Sequence, residues 1–187
     1  MPEVWQAVAR ETQLPELLKT TRDIPVYEDL MDYRLDILHN QGITLTDIQN
    51  EIAKLKPLDG AKDFLDWAGE RFQVAIISDT FYEFAGPLMV QLGDPFLLCH
   101  KLVVEDDRVV GYKLRQTDPK RHSVKAFKSL DLKVIAAGDS FNDVSMLDEA
   151  DHGIFFQAPE NVLAQFPQYP LAADYAELQA LIEEAVG

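Results

Sequence analysis

The sequence predicts an α/β fold with a parallel, doubly wound core and a small helical cap. Two observations support the core. Apolar runs at 74–77 and 134–136 have the length of strands and end in polar residues, and segments of helical periodicity alternate with such runs from Leu58 onward. A third observation supports the cap, because two helical segments between residues 25 and 55 follow one another without a strand. We expect ligands at the carboxyl ends of the parallel strands.

The first third of the chain is helical in pattern. Apolar residues recur at helical spacing over 4–9, which predicts a first helix. We expect a second helix over 25–40, because a proline suits the first turn of a helix and Gly42 suits its exit. A third helix is predicted over 47–55, and Pro57 ends it.

The rest of the chain alternates between strands and helices. The predicted elements are a helix at 60–70, a strand at 72–78, a helix at 82–92, a hairpin at 96–104 and 109–114, a helix at 119–130, a strand at 133–137, a helix at 142–150, a strand at 154–156 and a helix from about residue 174. The almost continuously apolar run at 72–78 indicates a strand buried on both faces. We therefore expect a core of residues 1–13 and 57–187 and a cap of residues 14–56.

The composition excludes several classes of protein. The formal net charge of −15 argues against binding to nucleic acid, which requires clustered lysine and arginine. No apolar run approaches the length of about 18 residues that a membrane span needs, and no signal-peptide pattern is visible. Cys99 is the single cysteine, so no internal disulfide can form, and we expect a reducing compartment, the cytoplasm.

Two sites with phosphate chemistry follow the predicted strands. Ser78 comes at the end of the first strand, where a hydroxyl can bind a phosphoryl oxygen, although Ser-Asp-Thr is also common turn chemistry. Lys120 opens a helix after Pro119, and a lysine there can reach toward a phosphate as a point charge. The alternative for Lys120 is a surface lysine, and Arg121 is a rival for any basic role.

A third site follows the strand that ends at Gly138. Asp139 and Asp143 are four residues apart and face the same way on a helical turn, with Asn142 beside them. Two neighbouring carboxylates repel one another unless a cation compensates them. Oxygen ligands of this kind suit Mg²⁺, and a metal at a strand end handles phosphate. The alternative is an N-cap aspartate followed by solvated polar residues.

The order of these sites resembles the haloacid dehalogenase superfamily of phosphohydrolases. Ser78 matches its second motif, Lys120 its third, and Asp139 with Asp143 its fourth. Longer segments resemble the bifunctional phosphoserine phosphatase/homoserine phosphotransferase branch of that superfamily, and together they extend over essentially the whole chain. These segments are 20–25, 54–58, 78–84, 98–102 and 157–162.

The resemblance implies a Rossmann-like core and a Mg²⁺-dependent phosphoryl transfer. In the family an aspartate attacks phosphorus and forms an aspartyl-phosphate, which water or homoserine then resolves. Asp139 would ligate Mg²⁺, and Asp143 would support that site directly or through a hydrogen bond. Ser78 and Lys120 would bind phosphoryl oxygens, and Asn142 would line the same pocket.

The resemblance also implies a phosphorylated amino acid, phosphoserine, as substrate. Glu3 and Arg34 match the family positions that contact the amino-acid end of the substrate, and the fork of an arginine suits a carboxylate. The alternative for Arg34 is a solvated helix residue paired with Asp32 or Asp36. The cap would close over the site and exclude water.

The first motif of the family has no counterpart in residues 1–187. That motif is an aspartate on the first strand, followed two residues later by a second acid, just ahead of a Pro-Glu pair that matches Pro2 and Glu3. In the family fold, the first strand lies between the strands that end here at Ser78 and Gly138. We therefore expect the nucleophile to lie upstream of Met1, and the chain as given to be inactive.

Other interpretations stay open at this point. One is a catalytically dead homologue that binds Mg²⁺ and a phosphorylated amino acid as a regulatory or binding protein. Another is a receiver-type phosphoacceptor with Asp79 as the accepting residue, which also requires an acidic pair on a first strand. The balance between water and homoserine as acceptor is not set by the sequence, and neither is the oligomeric state, for which a homodimer is one option.

Overall fold

The computed structural model describes residues 4–20, 23–24 and 26–187. The chain divides into two compact units, the first ending at Arg115 and the second spanning Gln116–Gly187. The elements of the first unit are α1 (Val4–Thr12), a 3-10 helix (Pro15–Leu18), α2 (Tyr27–Gln41), α3 (Leu45–Ala53), α4 (Ala61–Gly69), β1 (Ala75–Phe81), α5 (Tyr82–Gln91), β2 (Phe96–Glu105) and β3 (Arg108–Lys113). Those of the second are α6 (Pro119–Lys128), β4 (Ile135–Gly138), a 3-10 helix (Phe141–Asp143), α7 (Val144–Glu149), β5 (His152–Phe156), α8 (Glu160–Leu163), β6 (Leu171–Ala172) and α9 (Tyr175–Val186). Among all the described residues, no helix is long and apolar enough to cross a membrane.

The first three helices are present as predicted, although α2 begins at Tyr27 and α3 ends at Ala53 instead of residue 55. Pro25, the predicted first turn of α2, lies outside the described residues. α2 ends at Gly42, whose φ of 68° lies in the left-handed region that glycine adopts without steric cost. α3 begins at Leu45, two residues before its predicted start, because Thr44 caps it. The Thr44 hydroxyl accepts a hydrogen bond from the N–H of Asp47, and the Asp47 carboxylate accepts one from the N–H of Thr44.

The first sheet has the strand order β1-β2-β3. β1 and β2 are parallel, with Ala75 opposite Phe96, and β2 and β3 form the predicted antiparallel hairpin. The turn of the hairpin consists of Asp106 and Asp107, whose φ angles are 47° and 63°. Two-residue hairpin turns favour positive φ at both central positions, and short polar residues tolerate it best after glycine.

β1 differs from its prediction in two ways. It begins at Ala75 rather than at residue 72, and it continues through Ser78 to Phe81, whereas the sequence predicted that the strand ends at Ser78. Its first six residues are half-buried, so the predicted burial on both faces is wrong. The reason is pairing, since within the described chain β1 pairs with β2 on one side and forms an edge on the other.

The core of the first unit lies between its helices and this sheet. Phe81 and Phe84, at the junction of β1 and α5, are both 1% exposed and meet edge to face with ring centroids 5.8 Å apart. Trp5 of α1 meets Phe84 in the same geometry at 5.5 Å. Buried side chains that join them in one cluster include Val8, Leu17, Met31, Ile48 and Leu88.

Hydrogen bonds tie the second and third helices to the hairpin. The N–H of Leu45 donates to the carbonyl oxygen of Asp107 at 2.7 Å, and the N–H and hydroxyl of Thr46 donate to its carboxylate at 3.1 and 3.0 Å. The Tyr112 hydroxyl of β3 donates to the carbonyl oxygen of Glu28 in α2 at 3.4 Å. The predicted cap of residues 14–56 thus contacts the sheet at the hairpin, and its boundary lies inside the first unit and stays a prediction.

The second unit is built on a parallel sheet of order β4-β5-β6. Ile154 and Phe155 of β5 are almost completely buried and fill its core. Asp174 caps α9 by accepting a hydrogen bond from the N–H of Glu177, which confirms the predicted start of that helix. The described residues therefore form two three-stranded sheets in place of one continuous sheet, while the pairings outside the hairpin are parallel as predicted.

Short elements account for the remaining differences from the sequence prediction. The helix predicted over 142–150 is divided into a 3-10 turn, Phe141–Asp143, and α7, Val144–Glu149. The 3-10 helix Pro15–Leu18, α8 and β6 were not predicted, because elements of four, four and two residues are too short to show a periodicity.

Candidate active site

A sharp loop follows β4, and residues 138–143 are here called the Gly138 loop. The 3-10 turn Phe141–Asp143 folds Asp143 back against the end of the strand. A Cβ atom at position 138 would lie 2.4 Å from the Cβ of Asp143, which no real pair of carbon atoms allows. Glycine is therefore required at position 138 by the close approach of the Asp143 side chain.

The carboxylate of Asp143 is the centre of the loop. Asp143 is 5% exposed, and within the described chain its carboxylate accepts four hydrogen bonds. Oδ2 accepts from the N–H of Asp139 at 3.0 Å, and from the N–H and hydroxyl of Ser140 at 3.1 and 2.9 Å. Oδ1 accepts from Nζ of Lys120 at 2.7 Å. Because a buried carboxylate is costly unless donors surround it, the loop folds around Asp143.

Lys120 reaches this carboxylate from the first turn of α6. The side chains of Lys120 and Asp143 are 11% and 8% exposed, so water screens their ion pair little. The alternative of a surface lysine is therefore wrong. Its rival Arg121 is exposed and pairs instead with Glu149, Nε to Oε2 at 2.8 Å.

The two aspartates of the loop have opposite electrostatic surroundings. Burial opposes the ionisation of Asp143, but the Lys120 ammonium and the hydrogen bonds from Ser140 and Asp139 outweigh it and lower the pKa of Asp143. Desolvation, followed by the negative charge of Asp143, raises the pKa of Asp139. The pair thus consists of one firmly ionised carboxylate and one that a positive charge would stabilise.

These carboxylates fit a magnesium ion. Mg²⁺ is usually held by one or two protein carboxylates and keeps several of its waters. Asp139 lies at the surface of the loop, where a cation would relieve the repulsion from Asp143. Among the residues that the structure describes, no three or more His, Cys, Asp or Glu side chains form a metal-binding group. Asp143, with donors on both oxygens, is suited to hold the loop around such an ion.

Asn142 lies in the same loop as these aspartates. It is exposed, as is its neighbour Phe141, which is 44% exposed and whose ring meets Phe166 edge to face at 6.1 Å. Within the second unit, Asp139, Asn142 and Asp143 share one loop, and Lys120 contacts that loop through Asp143, while the roles predicted for these residues stay predictions.

Ser78 belongs to the first unit and lies inside β1. Its hydroxyl oxygen accepts a hydrogen bond from the N–H of Thr80 at 3.3 Å. Both side chains line an apolar cavity of about 40 Å³ whose other walls come from α3, α5 and β2. The prediction that β1 ends at Ser78 is wrong because the backbone stays extended as far as Phe81. The proposed contact of Ser78 with phosphate stays a prediction.

Arg34 is buried in the first unit and is not a solvated residue of α2. It is 6% exposed, its Nη2 donates to the carbonyl oxygen of Lys19 at 2.7 Å, and its Cζ lies 4.5 Å from the centroid of the Trp5 ring. Asp32 and Asp36, its alternative partners, are exposed. The role of Arg34 toward a substrate carboxylate stays a prediction, and Glu3 lies outside the described residues.

A buried histidine that was not foreseen from the sequence lies next to Asp79. His100 of β2 is 5% exposed, and its Nε2 lies 3.9 Å from Oδ1 of Asp79. Its Nδ1 accepts a hydrogen bond from the N–H of Arg115 at 3.0 Å, which leaves the proton of a neutral ring on Nε2, facing the carboxylate. Burial and the charge of Asp79 raise the pKa of Tyr27 to about 12. No local pattern announces these contacts, because they join residues far apart in the chain.

Comparisons with known proteins agree on one family. A family model described as haloacid dehalogenase-like hydrolase matches residues 6–151. The chain is 61% identical over 180 residues to the phosphoserine phosphatase ThrH of Pseudomonas aeruginosa, covering 96% of this chain and 88% of that protein. It is 58% identical over 180 residues to a phosphoserine phosphatase of Pseudomonas syringae pv. tomato, covering 96% and 76%. The crystal structure of the phosphoserine phosphatase from T. onnurineus in complex with NDSB-201 is similar with a TM-score of 0.69 at 27% identity, covering 96% and 86%.

Proposed function

Because the chain belongs to the haloacid dehalogenase-like hydrolases, we propose that it acts as a Mg²⁺-dependent phosphoserine phosphatase of the cytoplasm, with homoserine as a second phosphoryl acceptor. The observation that carries the proposal is the buried Lys120–Asp143 ion pair beside Asp139. A fixed positive charge next to a pair of carboxylates suits a phosphoryl group together with a divalent cation. The names of the two Pseudomonas relatives support phosphoserine as the substrate.

The predicted phosphate and metal residues have separate parts in this proposal. Lys120 supplies positive charge to a phosphoryl oxygen, and Asp143 fixes that charge in place before the substrate arrives. Asp139 would hold the Mg²⁺, with Asp143 organising the loop around it, and the bound ion would supply charge that polarises the phosphoryl group. Asn142 and Ser78 remain proposed contacts of the phosphoryl group.

We propose that Arg34 and Glu3 recognise the amino-acid end of the substrate. Arg34 carries a guanidinium whose fork matches a carboxylate, and its stacking on Trp5 limits the rotamers it can adopt. Glu3 is proposed as a partner for the ammonium of the substrate. In this scheme Arg34 and Glu3 set affinity for the substrate, whereas the loop residues set turnover.

The proposed route requires a nucleophilic aspartate, which we expect upstream of Met1. Attack of its carboxylate on phosphorus would form the aspartyl-phosphate and break the bond to the serine oxygen, which would take a proton from the second acid of the first motif. Water or a homoserine hydroxyl would then attack phosphorus, return a proton to that acid and regenerate the aspartate carboxylate. The aligned 180 residues make up 88% of the P. aeruginosa relative, so that protein extends beyond the alignment.

The test is phosphate release from phosphoserine by the protein prepared together with its upstream coding region. We expect activity that requires added Mg²⁺ and disappears with a chelator, and we expect phosphohomoserine to form when homoserine is added. Calorimetric titration with phosphoserine is carried out in parallel. Saturable binding without phosphate release would identify a regulatory binding protein. If the protein showed no binding of phosphoserine and no phosphate release, the proposed function would be wrong.

A further inference from the structure

Asp118 has an unusual backbone at the entrance to α6. Its φ and ψ are 48° and 56°, in the left-handed region that residues other than glycine rarely adopt. A residue before a proline is normally extended, and here Pro119 follows directly. This conformation persists only where surrounding contacts impose it.

The side chain of Asp118 is also used in an unusual way. An aspartate before a helix ordinarily accepts a hydrogen bond from an N–H of the first turn. The Asp118 carboxylate makes no such cap bond, and its Oδ1 instead accepts a hydrogen bond from the hydroxyl of Ser145 in α7 at 2.7 Å. Asp118 therefore connects the start of α6 to the helix that follows the Gly138 loop.

This hydrogen bond runs beside the ion pair of the candidate active site. Asp118 lies two residues before Lys120, and Ser145 lies two residues after Asp143, so the two contacts join the same pair of segments. The Ser123 hydroxyl donates to the carbonyl oxygen of Pro119 at 2.7 Å within the first turn of α6. The beginning of α6 is thus joined to the segment 143–145 by two hydrogen bonds, from Ser145 to Asp118 and from Lys120 to Asp143.

We infer that Asp118 and Ser145 are positioning residues that hold Lys120 against Asp143. A lysine side chain has four methylene carbons joined by rotatable bonds, so the position of its Nζ depends on where the first turn of its helix is fixed. The Asp118–Ser145 hydrogen bond fixes that turn against α7. The Lys120 side chain then has fewer conformers to sample before its ammonium contacts Asp143. Neither residue touches the reacting atoms, and their effect passes through Lys120.

The first test is structural and does not depend on the substrate. Ser145→Ala removes one hydroxyl without changing the backbone, and a crystal structure of this variant gives the distance from Nζ of Lys120 to Oδ1 of Asp143. We expect this distance to exceed hydrogen-bond range or Lys120 to occupy several conformers. An unchanged, fully occupied contact at 2.7 Å would overturn the inference, whatever the enzyme turns over.

The second test is kinetic and rests on the proposed function. Asp118→Ala and Ser145→Ala should each lower kcat/KM for phosphoserine roughly two- to tenfold, the range expected for one lost hydrogen bond, and the double variant should be no worse than the poorer single one. Asp118→Asn keeps an acceptor oxygen and Ser145→Thr keeps the hydroxyl, so both should retain near-native values. Ser129→Ala, which removes an exposed hydroxyl at the far end of α6, is the matched control.

A Lys120→Met background separates positioning from general structural support. There, Ser145→Ala should have no further effect on kcat/KM, because the group that it positions is absent. The same fold loss in both backgrounds would overturn the inference. If the native protein does not hydrolyse phosphoserine, the proposed function fails, while the crystallographic distance still decides the inference.

Discussion

The Gly138 loop and the polar groups around β1 are assembled in different ways. In the loop, Asp143 accepts hydrogen bonds from residues three and four positions before it, and one further partner, Lys120, comes from the adjacent α6. Around β1, Asp79 faces His100 of a neighbouring strand, and Arg34 of α2 stacks on α1. The loop is therefore fixed largely by a short segment, whereas the β1 groups meet only after several distant elements have packed. Substitutions in the loop should therefore cause large losses of stability or turnover, whereas substitutions around β1 should cause smaller ones.

The largest expected effect comes from Asp143→Ala. This change leaves the buried Lys120 ammonium without its carboxylate and three loop donors without an acceptor. Removal of one partner of a buried ion pair costs about 3–5 kcal/mol, and turnover should be lost as well. The free energy of unfolding from urea titration measures the first effect. Glu149→Ala, which removes the partner of exposed Arg121, is the control and should change stability little.

Asp139→Asn should separate activity from stability within the same loop. Because Asp139 is exposed and its pKa is raised by desolvation and by Asp143, neutralising it relieves repulsion and should not lower the melting temperature. Turnover should fall to background through loss of the metal site. Near-native kcat in this variant would show that the metal assignment is wrong.

Gly138→Ala tests the close approach that shapes the loop. The added Cβ would lie 2.4 Å from the Cβ of Asp143, so either the strand end or the aspartate must move. Overpacking of this kind costs about 1–3 kcal/mol, and kcat should fall with it because Asp143 is displaced. At Gly69 a Cβ meets no atom within 4 Å, so Gly69→Ala should not destabilise the protein. Equal stabilities for the two variants would contradict the described packing of Asp143.

Arg34→Ala addresses the β1 side of the comparison. If Arg34 binds the substrate carboxylate, KM for phosphoserine should rise about tenfold or more, with a smaller change in kcat. Exposed Arg10 of α1 provides the control, and Arg10→Ala should leave both constants unchanged. A fall in kcat at constant KM would instead assign Arg34 to the packing of the cap against Trp5.

The smallest effect is a pH dependence of the loop in metal-free buffer. The lowered pKa of Asp143 contributes stability that is fully present above its unfolded value, about 3.9, and is lost as the pH falls through the folded value. The raised pKa of Asp139 acts oppositely, and its penalty disappears on acidification. The stability difference between native protein and Asp143→Asn should therefore shrink below about pH 4. A difference that stays constant from pH 7 to pH 3 would show that Asp143 is not held ionised by its partners.

The same contrast explains how much of the molecule is predictable from its sequence. Local signals predicted the longer helices, the hairpin and the carboxylates of the loop, because caps, turns and strand ends are set by neighbouring residues. The hydrogen bond between Asp118 and Ser145 was not foreseen, since it joins residues 27 positions apart in the sequence. The Asp79–His100 contact and the length of β1 also depend on strand pairing, which no local pattern encodes.

The hydrogen bonds between α3 and the hairpin turn have a mechanical consequence. Leu45 and Thr46 donate hydrogen bonds to Asp107 in the turn between β2 and β3, so the start of α3 is attached to the tip of the hairpin. We expect these hydrogen bonds to couple any displacement of α3 to the hairpin turn. Within the hairpin, the pairing of β2 with β3 changes register between Val103 and Val104. Such irregularities bend a strand locally, so we expect the hairpin to flex at this point if α3 is displaced.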